Sequence, residues 1–455
     1  MTILRKYQNE AVHAFEDNGQ IGVFNMATGT GKTLTSISAV QRTFEKNGRQ
    51  FLVIIVPFTH LVEQWIQNLR YTDIFVDLKI MGNSNYWRRR LPNLVWAYQR
   101  GYTNRVVLLG TYSSICSKYF ECAIQKLHDT DTFLLADECH YIGSKKRQLQ
   151  FLFNFGKRLG LSATPNRWWD EEGTEFIRKL FGNDVYTYGM DRAIQKGFLT
   201  GYVYDPVITH LDSYEMEKFD KLTAKINLLI AGQNDHQIDE ETKHLLLKRS
   251  RIIKSAGTKT IILDNMLNKQ KKHKYTLIYC ANKIEVELVV QMLSDQGIIG
   301  HRFDSSLNLA KRREVLKRFS NGEIDVLVAI KCLDEGVDIP ATREAYFLAS
   351  TSNPREFVQR RGRILRCSPG KNDAVVHDFI VFPPRNYNGK YAEQLIRHEL
   401  PRAYELNDFS SNKYLARKQL APVLRKLQLE RYLDKSSLEI YLESKKEQDG
   451  YDITI

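Results

Sequence analysis

Two acidic residues, Asp137 and Glu138, close the apolar run TFLLADE. Carboxylates at the end of a buried strand are costly unless something cationic meets them. Upstream, NMATGTGKT at 25–33 follows another apolar run and opens a helical pattern. There Gly29 and Gly31 let the backbone curl, so that N–H groups from Thr28 through Thr30 to Gly31 point at phosphate oxygens. The helix N-terminus adds positive partial charge. Lys32 would reach the β- and γ-phosphates, and the Thr33 hydroxyl would bind Mg²⁺. Asp137 would hold the same ion, and Glu138 would orient and deprotonate an attacking water. The loop is a variant of GxxxxGK[ST], with Met26 where the first glycine belongs. Read singly, it is also a glycine-containing turn, and the acids a solvated strand end. Together in one α/β half, where strand C-termini share an edge, they read as one nucleotide-hydrolysing site. A third group, REFVQRRGRILR at 355–366, has four arginines in its last seven residues. Such a helix is commonly a solvated basic face. Hydrolysis, however, needs positive charge at the γ-phosphate, and arginines from a second body supply it.

The elements that must position these groups are legible as short apolar runs. Runs at 21–27, 51–57, 105–111, 132–138 and 158–164 are near-continuous, as burial on both faces requires. Helical patterns such as KTLTSISAVQRTFEKNG and HLVEQWIQNL lie between several of them, which predicts an α/β domain with a parallel sheet. The pattern recurs at 275–281, 325–331, 344–350 and 374–380, with helices over 283–297 and 310–322 that each end at a glycine. Residues 214–255 are charged with helical spacing and read as a helical hairpin inserted between the sheets. The tail from 391 has no strand runs and reads as helical. The expected domains are 1–201, 202–390 including the insertion, and a 391–455 extension.

Composition narrows the class. The chain has 455 residues, 43% of them hydrophobic, and a net charge of +13, which suits a polyanionic partner such as nucleic acid. The six cysteines form no CxxC pair, which argues against a zinc ribbon and fits reduced thiols of a cytoplasmic protein. The stretch MTILRKYQNEAVHAF lacks the apolar region of a secretory signal, and FLVIIVPF at 51–58 is too short to span a membrane.

In order along the chain, several segments together resemble the superfamily 2 helicases and translocases. LRKYQNEA (4–11) looks like their Q-motif-like start, ATGTGKT (27–33) like motif I and VPFTHLVEQW (56–65) like motif Ia. GTYSS (110–114) stands where Ib lies, and DECH (137–140) is similar to a DExH-type motif II. SATP (162–165), LIYCANK (277–283), LDEGVDIP (333–340) and QRRGRILR (359–366) resemble motifs III to VI. The stretch 162–202 is similar to the branch with excision-repair helicases, phage recombination helicases and restriction-enzyme motors.

The resemblance implies two tandem RecA-like domains, ATP in the cleft between them, Mg²⁺, and DNA, single-stranded or duplex, as partner. It implies that Gln8 reads adenine with Tyr7 or Arg5 nearby, and that Gln359, Arg363 and Arg366 face the γ-phosphate, the two arginines as fingers. Gly336 and Asp338 would link nucleotide to nucleic-acid track. His140, Ser162, Thr164 and Arg360, with Arg361 a further candidate, would couple nucleotide state to domain position, although Ser162 and Thr164 also suit simple capping before Pro165.

Thr59, His60, Thr111, Tyr112, Lys283 and Lys331 are candidate phosphate-backbone contacts, giving sequence-tolerant binding. NYWRRRLPNLVWAYQR at 85–100 interleaves aromatics and arginines, but reads better as a packed helix with a solvated basic rim. Trp168 and Trp169 after SATP suit either a strand-separating wedge or packing. Segments 214–255 and 391–455 are candidate partner surfaces. The expectation is an ATP-dependent DNA motor. Its alternatives are a duplex translocase serving a restriction, anti-phage or repair assembly, and a nucleotide-gated nucleic-acid sensor.

Overall fold

The computed structural model describes residues 4–82, 85–148, 155–165, 170–231, 239–304, 306–330, 339, 341–349 and 354–446. The chain divides into two compact units, Met1–Ala193 and Ile194–Ile455, so the 391–455 stretch falls in the second.

The first unit is built on β1 (Ile21–Met26), β2 (Gln50–Val56), β3 (Leu78–Ile80), β4 (Arg105–Thr111), β5 (Thr132–Asp137), β6 (Lys157–Ser162) and β7 (Asp184–Tyr188). All pair in parallel, in the order β3-β4-β2-β5-β6-β1-β7. Every residue of β2 is buried, which is why its sequence is uniformly apolar. Helices α1 (Lys6–Asp17), α2 (Lys32–Asn47), α3 (Thr59–Arg70) and α4 (Asn85–Gln99) connect or cover these strands. On α4, Trp87, Leu91, Val95 and Tyr98 are buried at helical spacing, while Trp96 and Tyr86 stay exposed. That is the packed helix with a basic rim expected from 85–100.

The second unit has β8 (Gly201–His210), β9 (Thr276–Tyr279), β10 (Gly300–Phe303), β11 (Val326–Ala329), β12 (Glu344–Phe347) and β13 (Asp373–Phe382), again all parallel, ordered β10-β11-β9-β12-β13-β8. Helices Ser213–Ala231 and Glu240–Lys254 pack through Ile226, Leu245 and Leu246 as a hairpin, but β8 before them is already a strand of the second sheet, so they lie within the second unit and not between the sheets. The tail is helical as expected, at Ala392–Asp408, Lys413–Lys426 and Ser437–Lys446.

The sequence runs missed β3, β7, β8 and β10, and these are the four outer strands of the two sheets. An edge strand is covered less completely, so its pattern alternates or breaks instead of running apolar. β8 alternates in burial and carries Pro206, which an edge tolerates.

Candidate active site

The phosphate loop grows out of β1. After Met26 the chain curls through Gly29 and Gly31, with φ of 89° and 86°, into α2. Gly31 is the N-cap, so the unfilled N–H groups of the helix start open on the loop. A Cβ at Gly31 would stand 2.6 Å from Gln8 Nε2, and its φ of 86° is one that a larger residue adopts only with strain. Gln8 is turned there because its Oε1 accepts from the Arg5 backbone N–H at 2.9 Å. Tyr7 donates its hydroxyl to the Thr30 carbonyl at 2.6 Å and stacks on Tyr188 at 4.2 Å. Arg5 Nη1 donates to the same Tyr7 hydroxyl at 3.4 Å. The residues expected around adenine therefore also brace the phosphate loop. Lys32 Nζ is folded back onto the Met26 carbonyl at 2.9 Å. Thr33 lies in the first turn of α2.

The acid pair ends β5. Trp65 Nε1 on α3 donates to Asp137 Oδ2 at 2.8 Å, and the Glu138 N–H donates to Oδ1 at 3.0 Å. Burial pushes the Asp137 pKa up, against the pull of the Trp65 indole and the Lys32 charge. Glu138 has φ 47° and ψ 56°, a left-handed conformation that costs a non-glycine residue energy. Tyr112, fully buried, holds this turn by donating to the Asp137 carbonyl at 2.8 Å. His140 Nδ1 lies 3.4 Å from Glu138 Oε2 and 3.2 Å from Ser162 Oγ, which in turn accepts from the Thr164 N–H at 3.1 Å. Glu138, His140, Ser162 and Thr164 thus form one continuous polar path.

In the second unit, helix Pro354–Ile364 carries Gln359, Arg360 and Arg363, and Arg366 follows just past its end. Arg360 is buried, donating to the Ala349 carbonyl at 2.9 Å with its guanidinium 4.8 Å over Tyr279. Gly336, Asp338, Lys331, Trp168 and Trp169 lie outside the described residues.

Residues 2–167 match the family model "Type III restriction enzyme, res subunit", and residues 258–368 match "Helicase conserved C-terminal domain". The chain is 26% identical over 383 residues to the DNA 3'-5' translocase XPB2 of Sulfurisphaera tokodaii, covering 80% of this chain and 78% of that one. Both halves of the chain thus resemble the superfamily 2 helicases and translocases.

A putative DNA 3'-5' helicase Rad25 of Haloarcula marismortui is 25% identical to this chain over 372 residues, 80% of this chain and 50% of the relative. The solved ATP-dependent Type ISP restriction-modification enzyme LlaBIII bound to DNA shares the fold, with TM-score 0.61 and 17% identity, covering 98% of this chain and 34% of that one. This chain thus spans half or less of the length of both. The matched helicase domain and the translocase relative point to an ATP-hydrolysing enzyme of the helicase class.

The loop fits a nucleotide. Two left-handed glycines open it, and the Thr28 and Thr164 hydroxyls are buried without a hydrogen bond to any described residue. Among the candidate nucleic-acid contacts, Thr59 and His60 open α3, with Thr59 exposed. Lys283 is exposed at the start of helix Lys283–Asp295. Thr111 is buried, its hydroxyl 3.1 Å from Ser113 Oγ.

Sequence reasoning missed Trp65 and the bracing role of Tyr112. The available signal for Trp65 was a Trp on the buried Leu61–Val62–Trp65–Ile66–Leu69 stripe, whose indole N–H must find an acceptor. No helix among the described residues is long and apolar enough to cross a membrane.

Proposed function

We propose that this chain is an ATP-dependent DNA helicase or translocase. The observation that carries the reading is the phosphate loop and the acid pair on one edge of one parallel sheet, near enough for the Lys32 charge to act on the Asp137 carboxylate. The N–H groups of 28–31 and the α2 N-terminus bind phosphate, and Lys32 moves from the Met26 carbonyl to the terminal phosphates. Thr33 and Asp137 would hold Mg²⁺, which when bound supplies positive charge to the phosphate oxygens. Glu138 orients the attacking water and takes its proton, and His140 and Ser162 relay the change at Glu138 toward Thr164. Gln359, Arg363 and Arg366 act on the γ-phosphate. The exposed Thr59 and Lys283 are proposed strand contacts.

DNA as the track is supported by the translocase and helicase relatives named above. The restriction-type family model and structural neighbour favour a second reading, a duplex translocase working inside a larger assembly. In that case 214–255 and 391–455 are the surfaces we propose for protein partners. ATPase rates with single-stranded DNA, duplex DNA and RNA, alongside a strand-displacement assay, separate the readings. Stimulation by DNA with displacement identifies a helicase, and stimulation by duplex without displacement a translocase. Stimulation by RNA alone, or by no nucleic acid, overturns the DNA-motor reading.

A further inference from the structure

The arginine helix Pro354–Ile364 has two working faces. At 3.6 residues per turn, Gln359 and Arg363 point within about 40° of each other, whereas Arg361 points about 160° away from both. Arg361 is 2% exposed and leaves the sheet side for the C-terminal tail. Its Nη1 donates to the Glu405 carbonyl at 2.5 Å and to the Tyr202 hydroxyl at 3.2 Å. Its guanidinium packs 5.3 Å from the Phe409 ring, at the end of tail helix Ala392–Asp408. Tyr202 closes the triangle by donating to the Leu406 carbonyl. That tail helix is itself fixed to β13, because Arg402 Nε donates to Asp378 Oδ1 at 3.0 Å and the Val381 N–H donates to Glu399 Oε2 at 3.0 Å. The end of the arginine helix is held separately, by Lys371 Nζ on the Ile364 and Arg366 carbonyls and by the Thr200 N–H on the Leu365 carbonyl.

A buried guanidinium that meets a carbonyl, a hydroxyl and a ring is a poor way to gain stability; an apolar side chain of similar size commonly serves as well or better. What it supplies is direction, since a planar group that donates through Nη1 to two acceptors and packs on the Phe409 ring fixes the helix in rotation as well as position. Its Nε makes no hydrogen bond among the described residues, so the contact is aimed at the tail by Nη1 alone.

We propose that Arg361 is a positioning residue for ATP hydrolysis, and that the C-terminal tail is through it a working part of the ATPase. This rests on the reading that Arg363 and Arg366 act on the γ-phosphate. The tail sets the rotation of the helix, and the rotation sets where those side chains reach. A ligand or partner seated on the tail would then govern turnover without touching nucleotide.

The test uses the full chain and the variants Arg361→Met, Arg361→Lys, Phe409→Ala and Arg363→Ala, reading kcat, KM for ATP, DNA affinity and thermal unfolding. Arg361→Met is expected to lower kcat about tenfold, the scale of a lost charged hydrogen bond, with KM, DNA affinity and Tm held. Arg361→Lys restores part of the rate, because an ammonium still reaches the Glu405 carbonyl. Phe409→Ala lowers kcat in the same direction and adds nothing on the Arg361→Met background. Unchanged kcat in Arg361→Met and Phe409→Ala overturns the inference. So does a kcat loss that follows a falling Tm and a rising KM. Should Arg361→Met fail to fold, Phe409→Ala decides alone. Arg363→Ala must by itself abolish turnover; if it does not, the γ-phosphate reading fails regardless of the tail. If it does and Arg361→Met is silent, only the tail inference fails.

Discussion

Two buried carboxylates, one in each unit, meet opposite surroundings. In the first, Asp137 meets neutral donors, the Trp65 indole and the Glu138 N–H, and burial leaves its pKa raised. In the second, Glu399 is equally deprived of water, but the Arg402 guanidinium and His398 beside it outweigh burial and hold its pKa well below the carboxylate range. A carboxylate whose charge is answered inside the fold is architecture. One hydrogen-bonded only by neutral donors, with burial still outweighing the Lys32 charge, favours an arriving cation, and the sheet edge where Asp137 stands is where nucleotide would bring one. Arg360 and Arg361 end on carbonyls and rings inside their own unit.

The largest effects should therefore separate by kind. Glu138→Gln is expected to lower ATP turnover about 10³-fold with ATP binding and thermal unfolding preserved, the scale of a lost general base. Lys32→Ala should lose turnover together with nucleotide affinity. Arg402→Ala should do the reverse, destabilising the second unit by about 3–5 kcal/mol because Asp378 and Glu399 are left buried without their cation. Chemical denaturation and steady-state ATPase on the same preparations check both. Near-normal turnover in Glu138→Gln would sink the catalytic assignment, and an unchanged denaturation midpoint in Arg402→Ala would remove the architectural half of the contrast.

The sequence made central strands visible and edge strands invisible for a single physical reason. Continuous apolar runs report burial on both faces, which β2 and β5 have and β3, β7, β8 and β10 lack. The phosphate loop and acid pair were legible because their chemistry lies in contiguous residues. The braces were not, since Trp65 reaches Asp137 across 72 positions and Tyr112 across 25, and no local spacing encodes such a pairing. The left-handed turn at Glu138 was equally hidden, because a non-glycine residue gives no signal of positive φ. The tail resisted a functional reading for a related reason. Arg361 sits among look-alike arginines, and only the fold shows that its neighbours and it point different ways.

Trp65 sharpens the contrast at intermediate size. Trp65→Phe keeps most of the buried ring but removes the 2.8 Å hydrogen bond to Asp137 Oδ2. A hydrogen bond to a charged group contributes about 1.5–3 kcal/mol, so turnover should fall roughly tenfold or more and the Mg²⁺ dependence should shift to higher concentration. A titration of ATPase rate against Mg²⁺ reads both. Ser162→Ala should be milder. It removes the partner of His140 and of the Thr164 N–H, and is expected to lower stimulation of ATPase by DNA severalfold while basal turnover stays within about twofold, consistent with loss of one neutral hydrogen bond. Equal loss of basal and stimulated rates would place Ser162 in hydrolysis instead of coupling.

The smallest effect belongs to His377, where the second unit answers charge most symmetrically. The ring lies on β13 between its two neighbouring strands, with Nδ1 2.7 Å from Asp205 Oδ2 on β8 and Nε2 2.8 Å from Glu344 Oε1 on β12. Both nitrogens can donate only in the imidazolium. Burial lowers the His377 pKa, but the two carboxylates outweigh it and the net shift is upward from 6.5. A raised folded pKa means the contribution is fully present below pH 6.5 and fades as pH rises through the higher folded value. The His377 hydrogen bond lowers Asp205 directly; in Glu344 it helps outweigh burial, leaving that pKa lowered too. Their share is present above their ordinary range and lost only in acid. Unfolding temperature measured from pH 6 to 9 should therefore decline more steeply in the native chain than in His377→Gln, by a few degrees, given roughly 2–4 °C per kcal/mol for a unit of this size. Asp137→Asn, which leaves His377 and its two carboxylates in place, should keep the native decline between pH 6 and 9, because it removes only a carboxylate whose charge burial already disfavours.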